Sequence, residues 1–351
     1  MNPLLVTANE ESTGKTAVTL ALAQAARERG TDVGYMKPKG TRLQSNVGKT
    51  LDEDPMLARE LLGLDAEMHE LEPVVYSPTF VQEAIRGRET ADEVRERIRE
   101  AFDALAADHD RLFVEGGGLT AGRILDIADG DIAELLDASV LLVCPYDSVT
   151  DVDDVLAAVD DLDGSLSGVL FNRVSESAYD QLQEDVVPFL ESRGVTVHGV
   201  LPREQDLAGV TVGELADDLG ADVLTDVPTD AFVERFSVAA MGPDAALRGL
   251  RRTKDTAVIT GGDRSEIHTA ALEAPGVKCL ILTGGHRPSG AVLGKAAEKG
   301  VPVMVVNSNT LTTIERAEDV VRVGRTRDEE TVERMGELLA RNADLDGILD
   351  D

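Results

Sequence analysis

The sequence has no tryptophan, only two cysteines, and aromatic residues at 3% of its length. Basic charge is also scarce: 34 Lys and Arg stand against 66 Asp and Glu, for a net charge of -32. Only eight of the basic residues are lysines, and none falls between Lys49 and Lys254. Each shortage excludes something. Cys144 and Cys279 lie in apolar strand-like runs with no Cys or His at ligand spacing, so buried free thiols are expected rather than a disulfide or a metal site. The deficit of positive charge argues against nucleic-acid binding, which needs clustered Lys and Arg to neutralise phosphates. The longest apolar runs fall well short of a bilayer span, so no membrane association is expected. The first strand begins at once, with no signal sequence ahead of it, and a cytoplasmic protein is expected.

What remains is an apolar and acidic chain. Hydrophobic residues make up 42% of the 351 residues, too many for a disordered protein and enough for two cores. Acidic residues spread along the whole chain, together with few lysines, fit a halophilic protein whose carboxylate surface keeps it hydrated in concentrated salt.

Apolar runs alternate with amphipathic stretches through the first 200 residues. Strands are expected at Pro3–Thr7, Asp32–Lys37, Arg111–Glu115, Ser139–Cys144, Gly168–Asn172 and Thr196–Val200. Most lack polar alternation, as strands buried on both faces do. Helices are expected between them at Thr16–Arg29, Ala91–Ala107 and Val152–Asp161. This βα alternation gives an α/β fold class: a parallel sheet covered by helices, of P-loop NTPase type. A second and smaller α/β domain follows. Its expected strands are Thr256–Ile259, Lys278–Leu282, Val301–Val306 and Val320–Val323. Its expected helices are Val212–Leu219, Asp244–Arg252, Arg264–Leu272, Gly290–Ala297 and Thr312–Ala317. The expected division is 1–207, 208–328, and a C-terminal helix at Glu329–Arg341 leading into an acidic tail that frays by 351.

Chemistry concentrates at strand ends. Thr13-Gly14-Lys15-Thr16 follows the first strand and opens a helix, the context in which a P-loop match is meaningful. Backbone N–H groups there cradle phosphates, Lys15 reaches the β- and γ-phosphates, and the Thr16 hydroxyl ligates Mg²⁺. Asn9 stands where the pattern wants glycine, and it is expected to take the left-handed backbone that glycine would supply. Lys37 and Lys39 end the second strand as an expected anion-binding pair. Asp52 and Asp54 follow, either one able to hold Mg²⁺. Glu115 ends the third strand before Gly116, Gly117 and Gly118, as a Mg²⁺ ligand would. Asn172 and Arg173 close the fifth strand, where an amide offers both donor and acceptor to an adenine edge.

The ordered set of strand plus "STGKT", "KPKG", "DED", "VEGGG" and "FNR" resembles the dethiobiotin synthetase-like group of P-loop proteins. In particular it resembles the N-terminal domain of large bacterial phosphate acetyltransferases and their free-standing archaeal relatives. The resemblance covers roughly residues 1–205. It implies ATP and Mg²⁺ as cofactors. Asn9, Thr13, Gly14, Lys15, Thr16, Lys37, Glu115, Asn172 and Arg173 would bind nucleotide. Thr16, Asp54 and Glu115 would lie on the magnesium side. Pro202-Arg203 would lie near the base, and Lys15 and Lys37 are the catalytic candidates. A homodimer is implied too. The segment Lys39-Gly40-Thr41-Arg42 departs from the small substrate loop of a true dethiobiotin synthetase, which speaks against biotin chemistry.

Residues 208–328 resemble the DRTGG domain, through Thr260-Gly261-Gly262-Asp263-Arg264, Thr283-Gly284-Gly285-His286-Arg287, Val238-Ala239-Ala240-Met241 and Pro302-Val303. Two meanings stay open for the Gly-Gly turns. They bring N–H groups, Arg264, His286 and Arg287 to one rim for a metabolite or second nucleotide, or they are only tight turns. His268 and His286 lack the partners of a metal site. Function is expected to be that of an Mg-ATP-binding regulatory or sensory protein connected with acyl or acetyl-CoA metabolism. The alternatives are an ATP-dependent ligase or carboxylase and a scaffold with a vestigial loop. No acetyltransferase activity is expected of these residues alone.

Overall fold

The structure, a computed structural model, describes residues 2–350 except 11, 41–42, 47–48, 163, 205–206, 208, 239–241 and 324–328. Thr41, Arg42 and Ala239–Met241, singled out above, lie outside the described residues. Two compact units form. Unit 1 holds Met1–Arg203 with Thr326–Asp351, and unit 2 holds Glu204–Arg325. The second unit is thus an insertion into the first, and residues 329–351 fold with the first.

Unit 1 is built on six parallel strands: β1 (Leu4–Ala8), β2 (Val33–Met36), β3 (Arg111–Glu115), β4 (Ser139–Cys144), β5 (Leu166–Val174) and β6 (Val197–Pro202). Their order is β6-β5-β4-β1-β3-β2. The burial strings explain why continuous apolar runs mark them: β1, β2 and β4 are buried at nearly every position because helices cover both faces. Helix α1 (Lys15–Glu28) follows the P-loop and buries small residues, Ala17, Ala21 and Ala23, close against the sheet. Helix α2 (Glu53–Leu62) starts at the cap Asp52, whose side chain accepts from the Asp54 N–H, and stops at Gly63 with φ 65°. Helices α3 (Ala91–Asp108) and α4 (Asp129–Leu136) precede β3 and β4. Cys144 and Cys279 are free and buried, and burial pushes both thiols up.

Register puts the sequence motifs side by side. Val6 pairs with Glu115, and Met36 with Val114. The P-loop, Glu115 and Lys37 therefore leave the sheet at one carboxyl edge, on neighbouring strands.

Unit 2 carries β7 (Asp222–Val223), β8 (Arg235–Val238), β9 (Thr256–Gly261), β10 (Val277–Thr283) and β11 (Val303–Val305), in the order β7-β11-β10-β9-β8. All pairs are parallel except β7 with β11. Alternate strand residues feed two cores. Ala257, Ile259 and Ile281 pack with α5 (Val212–Leu219) and α9 (Thr310–Val323). Val258, Leu280 and Leu282 pack with α6 (Pro243–Leu250), α7 (Ser265–Ala271) and α8 (Gly290–Lys299).

Two expectations are corrected. Val320–Val323 is the last turn of α9, not a strand. Thr313, Ala317 and Val320 are buried at helical spacing, and this period outweighs the β-propensity of a valine cluster. The tail up to Asp350 is folded rather than frayed: after α10 (Glu329–Asn342) it forms α11 (Leu345–Leu349), with Ile348 and Leu349 buried. The Arg111 guanidinium donates to the Leu349 carbonyl and fastens it.

Candidate nucleotide site

The loop from β1 to α1 takes its shape from two left-handed residues, Ser12 (φ 56°) and Gly14 (φ 92°). Asn9 is not one of the positive-φ residues, so the expectation that it replaces a glycine in backbone conformation is corrected: Ser12 takes that role. Gly14 is required twice over. Its φ disfavours side chains, and a Cβ there would stand 2.8 Å from Asn172 Nδ2. Asn172 donates to the Thr13 carbonyl at 2.8 Å, and Arg173 Nη1 donates to the Ser12 carbonyl at 2.8 Å. Arg173 is itself left-handed (φ 62°), and its own N–H donates to Asn172 Oδ1 at 2.9 Å. The "FNR" motif therefore clamps the P-loop backbone from β5. Asn172, expected to face an adenine edge, spends one amide N–H on the loop in this structure.

Carboxylates gather beside Thr16. Its hydroxyl donates to Glu115 Oε1 at 2.8 Å, and the Tyr35 hydroxyl donates to Glu115 Oε2 at 2.8 Å. Lys37 Nζ sits in their midst, paired with Asp54, with Asp52 Oδ2 at 2.8 Å and with Glu115 Oε1 at 3.4 Å. Burial alone would lower the Lys37 ammonium, but the carboxylates of Asp54, Glu115 and Asp52 hold it well above its ordinary value. Burial pushes Glu115 up to about 7; Asp54 and Asp52 add to this, while Lys37 and Thr16 oppose it. Burial also raises Asp52, against the pull of Lys37. The Asp52 and Asp54 roles separate here: Asp52 caps α2 while pairing Lys37, and Asp54 pairs Lys37 from the first turn.

Lys39 does not join Lys37 at the loop. Its side chain is fully buried, and Nζ donates to the carbonyls of Ala121 at 2.5 Å and Ile127 at 2.7 Å, beside Asp129 Oδ1 at 2.9 Å. The two lysines expected to bind an anion together thus part: Lys37 meets three carboxylates, and Lys39 is held inside the fold. Asp129, which the sequence did not single out, accepts from Thr7 Oγ1 at 2.5 Å and from the N–H groups of Gly117 and Gly118. Burial would raise its carboxyl, but Lys39 and Thr7 hold it below its ordinary range. It ties the end of β1 to the glycine loop after Glu115.

The residues fit a nucleotide with a divalent cation. Thr13 Oγ1 and Asn9 Oδ1 are buried and take no hydrogen bond among the described residues. Three carboxylates beside Thr16 face one ammonium. Among the described residues no group of three or more His, Cys, Asp and Glu side chains is arranged to hold a metal ion, and the carboxylates beside Thr16 pair with Lys37 instead.

In unit 2 the Gly-Gly turns meet at the ends of β9 and β10. The Gly262 N–H donates to the Thr283 carbonyl, and a Cβ at Gly262 would stand 2.1 Å from the His286 carbonyl oxygen. Arg287 pairs with Asp222 at the surface. His268 is buried, with Nε2 3.0 Å from the Gly261 carbonyl oxygen.

Residues 2–211 match the family described as the AAA domain, and residues 214–320 match the DRTGG domain. The chain belongs to the AAA domain family. Its P-loop domain is of the dethiobiotin synthetase-like kind, followed by a DRTGG domain. The phosphate acetyltransferase of Pseudomonas aeruginosa is 26% identical over 95% of this chain and 50% of its own length. The ATP-dependent dethiobiotin synthetase of Methanocaldococcus jannaschii is 24% identical over 58% of this chain and 95% of its own. The chain spans about half the length of the phosphate acetyltransferases it matches. Among solved structures, the MinD cell division protein of Aquifex aeolicus is 15% identical over 59% of this chain and 84% of its own, with a TM-score of 0.36. No helix among the described residues is long and apolar enough to cross a membrane.

Proposed function

We propose that the chain binds Mg-ATP at the P-loop and acts as a nucleotide-responsive regulatory protein. The observation that carries this is the convergence of Thr16, Glu115, Asp54 and Lys37 beside Gly14 and Lys15, on neighbouring strand ends. Thr16, Asp54 and Glu115 would hold Mg²⁺, which would supply charge neutralisation at the β- and γ-phosphates. Lys15 and the loop N–H groups bind the phosphates. The regulatory role is supported by the match to phosphate acetyltransferases across both units, which also speaks for a link to acyl and acetyl-CoA metabolism. Unit 2 would then receive a metabolite or second nucleotide, in a cytoplasmic homodimer.

A second function, an ATP-dependent ligase or carboxylase acting on a small acid or amine, is favoured by the match over nearly all of a dethiobiotin synthetase. Against it, Lys39 is buried in the fold and unavailable to hold a substrate.

The test is Mg-ATP-dependent stabilisation of the whole chain in high-salt buffer. Ligand at about 100 times Kd stabilises by about 2.7 kcal/mol. Lys15→Ala should abolish the shift, and no shift in the wild type refutes nucleotide binding. ADP release that depends on an added carboxylic acid or amine would favour the ligase.

A further inference from the structure

We infer that Met335, on α10, the helix entered when the chain returns from unit 2, is a positioning residue of the phosphate-binding loop. This rests on the nucleotide site proposed above. It extends that site to a residue far beyond the segment matched by the AAA domain.

Three observations carry it. First, α10 packs along α1, the helix whose N-terminal residue is Lys15. Second, Met335 is 3% exposed, and the first carbon of any side chain at position 14 would lie 3.8 Å from its Cε and 2.8 Å from Asn172 Nδ2. Met335 and Asn172 thus flank the Cα of Gly14 together. Third, the far end of the segment is fastened to β6. The Asp344 N–H donates to the His198 carbonyl at 2.7 Å, and Gly199 bridges to Ala343. Gly199 leaves room for this: a Cβ there would stand 2.5 Å from the Asn342 carbonyl oxygen. Arg29 at the end of α1 pairs with Asp346 at 2.9 Å.

Gly14 has φ 92° and no side-chain cap, so it has no side chain of its own with which to hold the loop. The loop takes its shape from outside. Asn172 and Arg173 hold the carbonyls of Thr13 and Ser12. Met335 closes the remaining side with a flexible thioether, the side chain suited to an irregular gap. The loop N–H groups aim at phosphates only while this packing persists.

The test uses the full chain and a fluorescent ATP analogue with Mg²⁺, comparing Met335→Ala, Met335→Leu and Leu338→Ala. Leu338 is as deeply buried on the same helix and controls for stability. Met335→Ala should weaken binding by roughly fivefold, the worth of about one lost hydrogen bond at the loop. Met335→Leu should restore it, and Leu338→Ala should leave it unchanged while lowering the melting temperature. Hydrogen exchange without nucleotide gives an independent readout. Amides of residues 12–18 should exchange faster in Met335→Ala, by about threefold, and not in Leu338→Ala. Equal effects of Met335→Ala and Leu338→Ala in both assays, or no effect of Met335→Ala in either, would overturn the assignment. If the wild type takes up no analogue, the proposed nucleotide site fails, and the exchange comparison still decides whether Met335 braces the loop.

Discussion

Lys39→Met separates a structural lysine from a ligand-binding one. The Lys39 ammonium is buried against Asp129 and donates to carbonyls of the loop 118–127. Methionine fills much of the same volume but leaves Asp129 without its counter-charge. Removing one partner of a buried ion pair costs about 3–5 kcal/mol. Asp129 keeps Thr7 and two backbone N–H donors, which soften the loss, so about 3 kcal/mol is expected. For a unit of about 200 residues this lowers the melting midpoint by roughly 6–12 °C. Asp129→Asn should cost a comparable amount, because its one carbonyl oxygen can keep Thr7 and the Gly118 N–H only by turning its NH₂ towards the Gly117 N–H and Lys39. The double variant should be less destabilised than the sum of the two singles, by about 0.5–3 kcal/mol. With no tryptophan in the chain, circular dichroism and calorimetry are the suitable probes. Urea is the suitable denaturant, because an ionic one would also screen a net charge of -32. A midpoint shift below about 2 °C, together with a tenfold loss of nucleotide affinity, would refute the structural role and return Lys39 to the ligand.

Three further outcomes are expected. Arg173→Ala removes a charged donor from the Ser12 carbonyl and should weaken nucleotide binding about tenfold. Arg173→Gly should lose as much affinity yet be about 1 kcal/mol more stable than the alanine variant, because it relieves the left-handed backbone at 173; equal stabilities by urea melts would count against strain there. Burial first, and Asp52 next, push the Glu72 carboxyl up to about 7. A raised folded pKa means the folded state holds a proton that the unfolded chain releases, so this contribution is complete below about pH 4.5 and is lost as pH rises towards 7. Glu72→Gln should flatten the decline, by about 3 kcal/mol at most, in urea midpoints taken across that window; an unchanged slope would refute the assignment.

How much of this was legible depends on what each residue's environment shares with its neighbours in sequence. The β-strands of unit 1 announce themselves because a sheet covered on both faces needs uninterrupted apolar runs. Glu115 and Lys37 were legible for a related reason: each ends such a run, and a parallel sheet delivers all strand ends to one edge. Lys39 was not. It is two residues from Lys37, with Pro38 between, and nothing local says which ammonium meets Asp54 and which meets Asp129. Asp129 was hidden for a different reason. It is one of 66 acids and reads as an ordinary first-turn helix residue. The available signal was a lysine-poor chain with a second lysine at a buried strand end, which requires a buried acid somewhere. The left-handed Ser12 had no glycine to mark it, and the Arg173 guanidinium that holds its carbonyl lies 161 residues away. The α11 helix was overlooked because four acids mask the spacing of Leu345, Ile348 and Leu349, which is that of a helix face.

The charge balance around Lys37 bears on how such a site can respond to a ligand. Asp52, Asp54 and Glu115 together offer three carboxylates to one ammonium, all within a buried cluster. Left ionised, they would carry an excess of two negative charges in a region of low dielectric, which is why burial raises Glu115 and Asp52 towards their neutral forms. The side chains that would hold Mg²⁺ therefore already hold Lys37. In the proposed function a second, divalent charge beside Lys37 would bring the cluster to neutrality, and Lys37 would no longer be needed by all three carboxylates at once. It could then turn to a phosphate, two residues from the loop-holding Lys39, whose partners lie elsewhere and do not change. On the proposed function Lys37 would be the cation that moves and Lys39 the one that stays, so that the glycine loop would keep its place while the metal side rearranged. That division of labour requires Lys39 to be structural, which makes Lys39→Met the substitution on which this account of the site depends most.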